Sequence, residues 1–279
     1  MNRKVAFVTG ASRGIGAESA VALASAGYDV AITARTLSEG ERHDHVGSSK
    51  PLPGSLESTA AAVAAAGGRA LCLRADILDE ASVIAAARDA MAHFGGIDLL
   101  FNNAVYQGTG NQEALMQVTR EQLDCIYQGN VFTPLALVRA ILPRMLEAGR
   151  GTVLNMVSYT AFHDPPAPAD RGGWGFAYPS SKAAFARMAG SLRVEHAGSG
   201  VRFLNMEPGT VVTEVMKAAG ITEEVMKRFK PCTPQAIAAV VAWLADNDPP
   251  TEVERDGVVA GPALAKALDF LGLPSLLGA

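Results

Sequence analysis

The chain has 279 residues, of which 49% are hydrophobic, and a formal net charge of −4. This length suits one α/β domain with a sizeable core, and the small acidic excess argues against a nucleic-acid surface, which needs concentrated positive charge. The three cysteines, Cys72, Cys125 and Cys232, are too far apart in sequence to predict a metal site or a disulfide framework.

The sequence predicts no export signal and no membrane span. Its charged start leads into the apolar run Val5 to Val8, as in a signal peptide, but Thr9 and Gly10 end that run at once. The most apolar later stretch, Ile237 to Ala245, is far shorter than the roughly 20 residues that cross a bilayer. We therefore expect a cytoplasmic protein.

Short β-branched segments alternate with longer alanine- and leucine-rich segments. The predicted strands are Val5–Thr9, Asp29–Ala34, Ala70–Arg74, Ile97–Phe101, Thr152–Met156 and Val201–Met206. The predicted helices are Gly14–Ala26, Leu56–Ala66, Ala81–Phe94, Arg120–Leu146 (one long helix or two abutting ones), Tyr178–Ala197 and Pro234–Ala245. Such alternation requires parallel strands with right-handed crossovers. It predicts a single domain with a doubly wound parallel β-sheet and helices on both faces, a Rossmann-type fold.

Three segments interrupt this alternation: residues 36–55, residues 162–176 and residues 210–230. Each follows the carboxyl end of a predicted strand, which is where ligands bind in open α/β sheets. We expect all three to be functional loops, and the last to form a lid.

The first strand leads into Thr9-Gly10-Ala11-Ser12-Arg13-Gly14-Ile15-Gly16, which opens a helix. Small residues at such a turn let backbone amides and the helix amino terminus approach a pyrophosphate closely. A glycine-rich run alone can be a tight turn, but a strand before it and a helix after it favour nucleotide binding.

The end of the second predicted strand indicates which nucleotide is preferred. An NAD-binding fold places an acidic residue there for the ribose hydroxyl, whereas this chain has Ala34-Arg35. Arg35, with Arg13 on the glycine loop, suits a 2′-phosphate, so we expect NADP(H) to be preferred over NAD(H). In the alternative, both arginines are solvated, and Glu39 or Glu41 contacts the ribose.

Tyr178 and Lys182 lie one helical turn apart at the start of a predicted helix. A tyrosine ionises near pH 10, and a neighbouring ammonium favours its phenolate, so the pair suits proton transfer. A tyrosine and a lysine at this spacing also occur together by chance on exposed helices, so the surrounding motifs decide.

Taken in order, the motifs resemble those of the short-chain dehydrogenases/reductases over roughly residues 3 to 215. Beyond the glycine loop they are Asp76, Asn102-Asn103-Ala104, Asn130, Ser158, Tyr178 with Lys182, Pro208-Gly209 and Thr213. The resemblance implies the catalytic residues Asn130, Ser158, Tyr178 and Lys182. It also implies the cofactor-binding residues Gly10, Ser12, Arg13, Gly14, Ile15, Gly16, Arg35, Asp76, Ile77, Asn103, Ala104, Tyr178, Lys182, Pro208, Gly209, Val211 and Thr213.

The resemblance implies the role of each catalytic residue. Ser158 holds the substrate oxygen, Tyr178 exchanges its proton, Lys182 lowers the tyrosine pKa and holds the nicotinamide ribose, and Asn130 steadies a water. Two preplaced hydroxyls would stabilise the negative charge that hydride transfer creates on a carbonyl oxygen. Structural alternatives remain for Ser158 as a turn residue and for Asn130 as a buried amide.

The resemblance also implies that Asp76 contacts the adenine, that Asn102 and Ala104 line the cofactor, and that Thr213 approaches the nicotinamide carboxamide. Asp76 could instead be a helix cap.

The sequence departs from the family pattern near the expected substrate. Val105 replaces the usual glycine, and Ser158 and Tyr178 stand farther apart than is common, with an insertion between them. Aromatic and apolar residues of the insertion and the lid suggest a hydrophobic ketone or secondary alcohol, or else anchor their own loops. These residues are Tyr159, Phe162, Trp174, Phe176, Val215, Met216, Ile221, Met226 and Phe229.

The carboxyl-terminal part also departs from the family pattern. Its usual glycine-rich strand is reduced to Gly257–Gly261, and the tail that follows is unlike the common ending. Family members commonly pair through their long central helices, so we expect a homodimer or homotetramer.

Two other functions remain open at this point. A non-catalytic NADP(H)-binding sensor or scaffold would not need the four catalytic residues. A sugar-nucleotide epimerase or dehydratase would need a larger carboxyl-terminal domain than this chain contains.

Overall fold

The computed structural model describes residues 3–43, 51–218 and 231–272. Eight strands form one sheet in the order β3-β2-β1-β4-β5-β6-β8-β7. They are β1 (Lys4–Thr9), β2 (Tyr28–Ala34), β3 (Ala70–Arg74), β4 (Leu99–Asn102), β5 (Gly151–Met156), β6 (Val201–Glu207), β7 (Glu254–Arg255) and β8 (Val258–Ala260). All neighbouring pairs are parallel except β7 with β8. The prediction of a doubly wound, mostly parallel sheet is confirmed.

Helices cover both faces of the sheet. They are α1 (Gly14–Ser25), α2 (Leu56–Ala65), α3 (Glu80–Phe94), α4 (Arg120–Tyr127), α5 (Thr133–Ala148), α6 (Ala177–Glu195), α7 (Glu214–Ala218), α8 (Pro234–Leu244) and α9 (Gly261–Ala267). Short 3₁₀ turns lie at Tyr159–Ala161, Ala169–Arg171 and Thr251–Val253.

The central strands are buried on both faces, which explains their near-continuous apolar sequences. On one face, Val8, Ile32 and Phe101 belong to a core cluster that includes residues of α1 and α8. On the other face, Phe7 and Leu100 belong to a cluster that includes residues of α3 and α5. Burial of alternate strand residues against opposite helix layers fixes the register of the sheet.

Two features differ in detail from the predicted elements. The helical segment expected over Arg120–Leu146, as one long helix or two abutting ones, is two α-helices joined by a π-helical turn, Gln128–Phe132. The Gly257–Gly261 segment still supplies a strand, β8, which pairs parallel with β6. A π turn inserts one residue into an otherwise continuous helical path, and the sequence-based prediction does not specify where.

Within the described residues, the helical stretch Arg120–Ala148 is long and apolar enough to cross a membrane by length and composition alone. Half of its most apolar window is buried inside the molecule. The core helix of a soluble protein has the same properties.

The predicted loops are only partly described. Residues 44–50 of the first loop and residues 219–230 of the predicted lid lie outside the described ranges, so Ile221, Met226 and Phe229 cannot be placed.

Candidate active site

A cavity of about 550 Å³ opens at the carboxyl ends of the parallel strands. All seventeen residues expected to bind the cofactor line this cavity, from the glycine loop to Thr213. Of the four expected catalytic residues, Tyr178 and Lys182 also line it, whereas Asn130 and Ser158 do not. The fold thus brings segments from six parts of the chain to one site.

Close packing of the backbone requires glycine at two positions of the glycine loop. Gly10 has φ +69°, and a Cβ atom there would come within 2.9 Å of the Ala104 Cα; a Cβ atom at Gly16 would overlap the Gly10 carbonyl. Arg13, the N-cap residue of α1, makes no side-chain cap hydrogen bond. The first amides of α1 therefore face the cavity, and this cradle fits a dinucleotide pyrophosphate.

The loop after β4 holds the glycine loop in place. The Thr9 hydroxyl accepts hydrogen bonds from the backbone amides of Asn103 and Ala104, each at 3.0 Å. Asn103 Nδ2 donates to the carbonyl of Thr9 at 2.8 Å. Because these contacts join the ends of two neighbouring strands, the phosphate cradle is preformed.

Three arginines, Arg13, Arg35 and Arg74, lie near the end of β2. The Arg13 guanidinium donates to Thr36 Oγ1 at 3.2 Å and to the carbonyl of Gly54 at 2.8 Å, and burial lowers the pKa of Arg13. Arg35 is half-buried at the cavity wall, and Arg74 donates to its carbonyl at 2.8 Å. Arg74 also pairs in a bidentate manner with Glu41, whose pKa falls to about 2 because of this contact. The Glu41 carboxylate is therefore already held in an ion pair with Arg74.

Asp76 and Ile77 follow β3 at the cavity wall. Asp76 Oδ1 accepts a hydrogen bond from the amide of Leu78, while Asp79 is the residue that caps α3. The alternative of Asp76 as the helix cap is therefore wrong. The Ile77 carbonyl accepts from Thr133 Oγ1 at 2.7 Å, which ties this loop to the start of α5.

Tyr178 and Lys182 lie in the first two turns of α6. Lys182 is only 3% exposed, its Nζ donates to the Met156 carbonyl at 2.8 Å, and burial lowers its pKa to about 7. Burial raises the pKa of Tyr178, and a hydrogen bond with the Ser158 side chain opposes that increase. Ser158 thus favours the Tyr178 phenolate, against the effect of burial.

Asn130 sits in the π turn and is 1% exposed. Its Oδ1 accepts from the Tyr106 amide at 2.9 Å, and its Nδ2 donates to Ser181 Oγ at 3.0 Å. Through these two contacts its side chain links the loop after β4 to α6.

The expectation that Asn102 lines the cofactor is wrong. Its side chain is 3% exposed and donates to Asn155 at 3.0 Å, and Asn155 donates to Asn205 at 3.3 Å. The three residues are aligned on β4, β5 and β6 and form a buried amide ladder across the sheet. Asn102 is the last residue of β4, and its side chain stays within the amide ladder. Asn103, the next residue, is the first of this segment to line the cavity.

The aromatic residues of the insertion do not line the main cavity. Phe162, Trp174 and Phe176 line a second, open cavity of about 610 Å³ beside Pro179 and Ala183 of α6. Tyr159 stacks on His163 with ring centroids 3.6 Å apart. Of the described residues expected around the substrate, Val105, Val215 and Met216 line the main cavity.

Several lining residues were not expected from the sequence. They include Thr36, Tyr106, Gln107, Met156 and Thr210. Each lies within three residues of an expected site residue at a strand end. The positions of the predicted strand ends could therefore have predicted that these residues line the cavity.

Glu214 opens α7 close to the glycine loop. Its Oε2 is buried without a hydrogen-bond partner among the described residues and lies 3.6 Å from where a Cβ atom of Gly14 would be. A carboxylate therefore lies close to the phosphate cradle.

The amino-acid sequence of this chain is similar to those of known proteins. The family model described as short chain dehydrogenase matches residues 4–224. The 2-(R)-hydroxypropyl-CoM dehydrogenase of Xanthobacter autotrophicus is 32% identical over 247 residues, covering 87% of this chain and 88% of that protein.

Solved structures are also similar to this chain. A metagenomic short-chain oxidoreductase in complex with NADP has a TM-score of 0.69 at 28% identity, covering 93% of this chain and 96% of that one. A short chain dehydrogenase from Mycobacterium paratuberculosis bound to NAD has a TM-score of 0.69 at 26% identity, covering 88% of this chain and 91% of that one. Both nicotinamide cofactors thus occur among structures with this fold.

Proposed function

This chain belongs to the short-chain dehydrogenase family, and from that premise we propose that it interconverts a ketone and a secondary alcohol with NADP(H). Membership makes it an oxidoreductase acting on CH–OH or C=O groups. The observation that carries the proposal is the convergence of Tyr178, Lys182 and the glycine loop on one cavity, and the Ser158 side chain lowers the pKa of Tyr178 against the effect of burial.

In reduction, Tyr178 gives its phenol proton to the oxygen that becomes the alcohol, and Ser158 donates a hydrogen bond to the same oxygen. The nicotinamide supplies the hydride. Tyr178 carries its phenol proton at neutral pH and can therefore donate it in this step, and the Ser158 side chain opposes the rise in pKa that burial causes. Lys182, whose Nζ donates to the Met156 carbonyl, would hold the ribose of a bound nicotinamide cofactor. In oxidation Tyr178 accepts the proton instead and must first be ionised.

The preference for NADP(H) rests on charge at the end of β2. Arg13 and Arg35 line the cavity there, and Glu41, a possible competitor for the ribose, is already paired with Arg74. An arginine fork suits the geometry of a phosphate group.

The proposed substrate is an apolar ketone or alcohol. Val105, Met156, Val215 and Met216 line the main cavity beside Tyr178 and provide apolar surface for such a molecule. Size and branching at the reacting carbon are therefore expected to matter more than charge.

We further propose a cytoplasmic homodimer or homotetramer that pairs through α5 and α6. Phe132 is 50% exposed before α5, and Val194 is 80% exposed on α6. Exposed apolar residues on these helices suit burial between copies. Sedimentation of the purified protein at a monomer mass would contradict this assignment.

The test is NADPH and NADH oxidation with a panel of ketones from small and charged to bulky and apolar. We expect turnover of apolar ketones with NADPH and a loss of about 10²- to 10⁴-fold in Tyr178→Phe. Tyr127→Phe, whose hydroxyl contacts Ser180 on another face of α6, is the matched control. Tight NADPH binding without turnover of any ketone would favour a sensor or scaffold.

A further inference from the structure

The Ser158 hydroxyl is held by a residue for which no role has been assigned. Ser158 is the N-cap residue of the 3₁₀ turn Tyr159–Ala161, and its Oγ accepts a hydrogen bond from the Thr160 amide at 3.3 Å. The Thr160 hydroxyl lies 3.0 Å from the same Oγ. Thr160 therefore contacts the Ser158 oxygen twice, through its backbone and through its side chain.

Counting donors and acceptors fixes what this arrangement does. A serine hydroxyl has one hydrogen to donate and two lone pairs that accept. If Ser158 donated to Thr160, no hydrogen would remain for Tyr178 or a substrate oxygen. If Thr160 donates, both lone pairs of Ser158 are used and its hydrogen is left for Tyr178.

The neighbours of Ser158 favour the second arrangement. In the described part of the chain, Ser158 is the only group within hydrogen-bond distance of the Thr160 hydroxyl, and by geometry either oxygen of the pair could be the donor. Ser158 in turn makes the hydrogen bond that lowers the pKa of Tyr178, which requires it to donate.

The turn itself is braced from outside. The ring of His163 stacks on Tyr159, and its Nδ1 lies 3.0 Å from the Tyr159 carbonyl. These contacts hold the 3₁₀ turn, and with it Thr160, in place beside Ser158.

We infer that Thr160 is a positioning residue whose hydroxyl donates to Ser158 and thereby directs the single Ser158 hydrogen toward Tyr178 and the substrate oxygen. The chain of donors runs from Thr160 to Ser158 to Tyr178. The reach toward the substrate oxygen rests on the proposed function, whereas the link to Tyr178 belongs to the protein alone.

The test measures the ionisation of Tyr178 directly. The phenolate absorbance of each protein is titrated against pH, and the titration of the same protein carrying Tyr178→Phe is subtracted. In Thr160→Val, which removes the hydroxyl, we expect the Tyr178 midpoint to move upward because Ser158 no longer donates steadily to the phenolate. Thr160→Ser keeps a hydroxyl and should restore the midpoint, and Ser158→Ala should move it upward as well.

Kinetics give the second readout. With an apolar ketone and NADPH, Thr160→Val should lower kcat about fivefold, the effect of one hydrogen bond between neutral groups, with little change in KM. Thermal unfolding and NADPH binding show whether the variant is folded.

The outcomes separate the two proposals. If the midpoint in Thr160→Val equals that of the parent, or Thr160→Ser fails to restore it, the inference is overturned whatever the activity. If no ketone is turned over by the parent, the proposed function fails, and the titration still decides the role of Thr160.

Discussion

At the scale of single residues, the proposed role of Tyr178 makes the rate of each direction of the reaction depend on the protonation of its phenol. Burial raises the pKa of Tyr178, so its phenol form persists through neutral pH and is lost only as pH rises through the raised value. Reduction uses the phenol and oxidation uses the phenolate. The two directions should therefore respond to alkali with opposite sign.

We expect kcat/KM for ketone reduction to stay level as pH rises through neutrality and to fall at alkaline pH, whereas kcat/KM for alcohol oxidation should rise. Profiles in both directions at constant ionic strength check this, with Tyr127→Phe as the control. Parallel profiles in the two directions would show that Tyr178 does not carry the proton.

The proposed preference for NADP(H) is tested at the same scale, at Arg35. Arg35→Asp should weaken NADPH binding by about 10- to 100-fold, because it removes a charge-assisted contact and adds repulsion. NADH lacks the 2′-phosphate and should bind about as before. Fluorescence titration with both cofactors measures this difference, and Arg88→Asp, at an exposed position on α3, is the control. An equal loss for both cofactors would mean that Arg35 does not contact the phosphate.

At the scale of elements, the buried amide ladder of Asn102, Asn155 and Asn205 joins three strands. Asn155, in the middle, is fully buried and bonds to both neighbours. Asn155→Leu should lower the free energy of unfolding by about 2–3 kcal/mol, because it leaves buried amide groups unpaired. Urea denaturation measures this, and the exposed Asn247→Leu is the control. A change below about 0.5 kcal/mol would show that the ladder is not a stabilising unit.

The short helix α7 carries a second prediction at this scale. Its first residue, Glu214, holds a buried carboxylate oxygen close to Gly14, where the dinucleotide pyrophosphate is expected. Glu214→Gln should tighten NADPH binding about fivefold by removing repulsion at the amino end of α1. The gain should shrink as salt increases. Weaker binding would mean that Glu214 contributes a favourable contact instead.

The elements also show what the sequence could predict. Strand positions and the glycine loop followed from local patterns, such as the apolar β1 running into Gly10. The π turn around Asn130 did not, because residues on both sides keep helical periodicity. The ladder did not either, because the alignment of Asn102 with Asn155 is set by strand pairing and is not visible in either segment alone.

At the scale of the whole molecule, the motif residues could be predicted as a group because the doubly wound topology brings strand ends together. The surroundings of the substrate could not. The insertion at residues 162–176 was expected to wall the catalytic cavity, but its aromatic side chains lie in a separate cavity beside the outer face of α6. The path of the insertion depends on its neighbours in the fold, α6 and residues 114–115, and no local sequence pattern specifies them.

The central claim is that this protein transfers a hydride between a nicotinamide and a carbonyl carbon while Tyr178 transfers the proton. The most direct measurement uses NADPH deuterated at the transferable position, an apolar ketone and mass spectrometry of the product. We predict one deuterium on the carbinol carbon with the parent protein and none above background with Tyr178→Phe. Undeuterated alcohol from the parent, or equal labelling by both proteins, would contradict the claim.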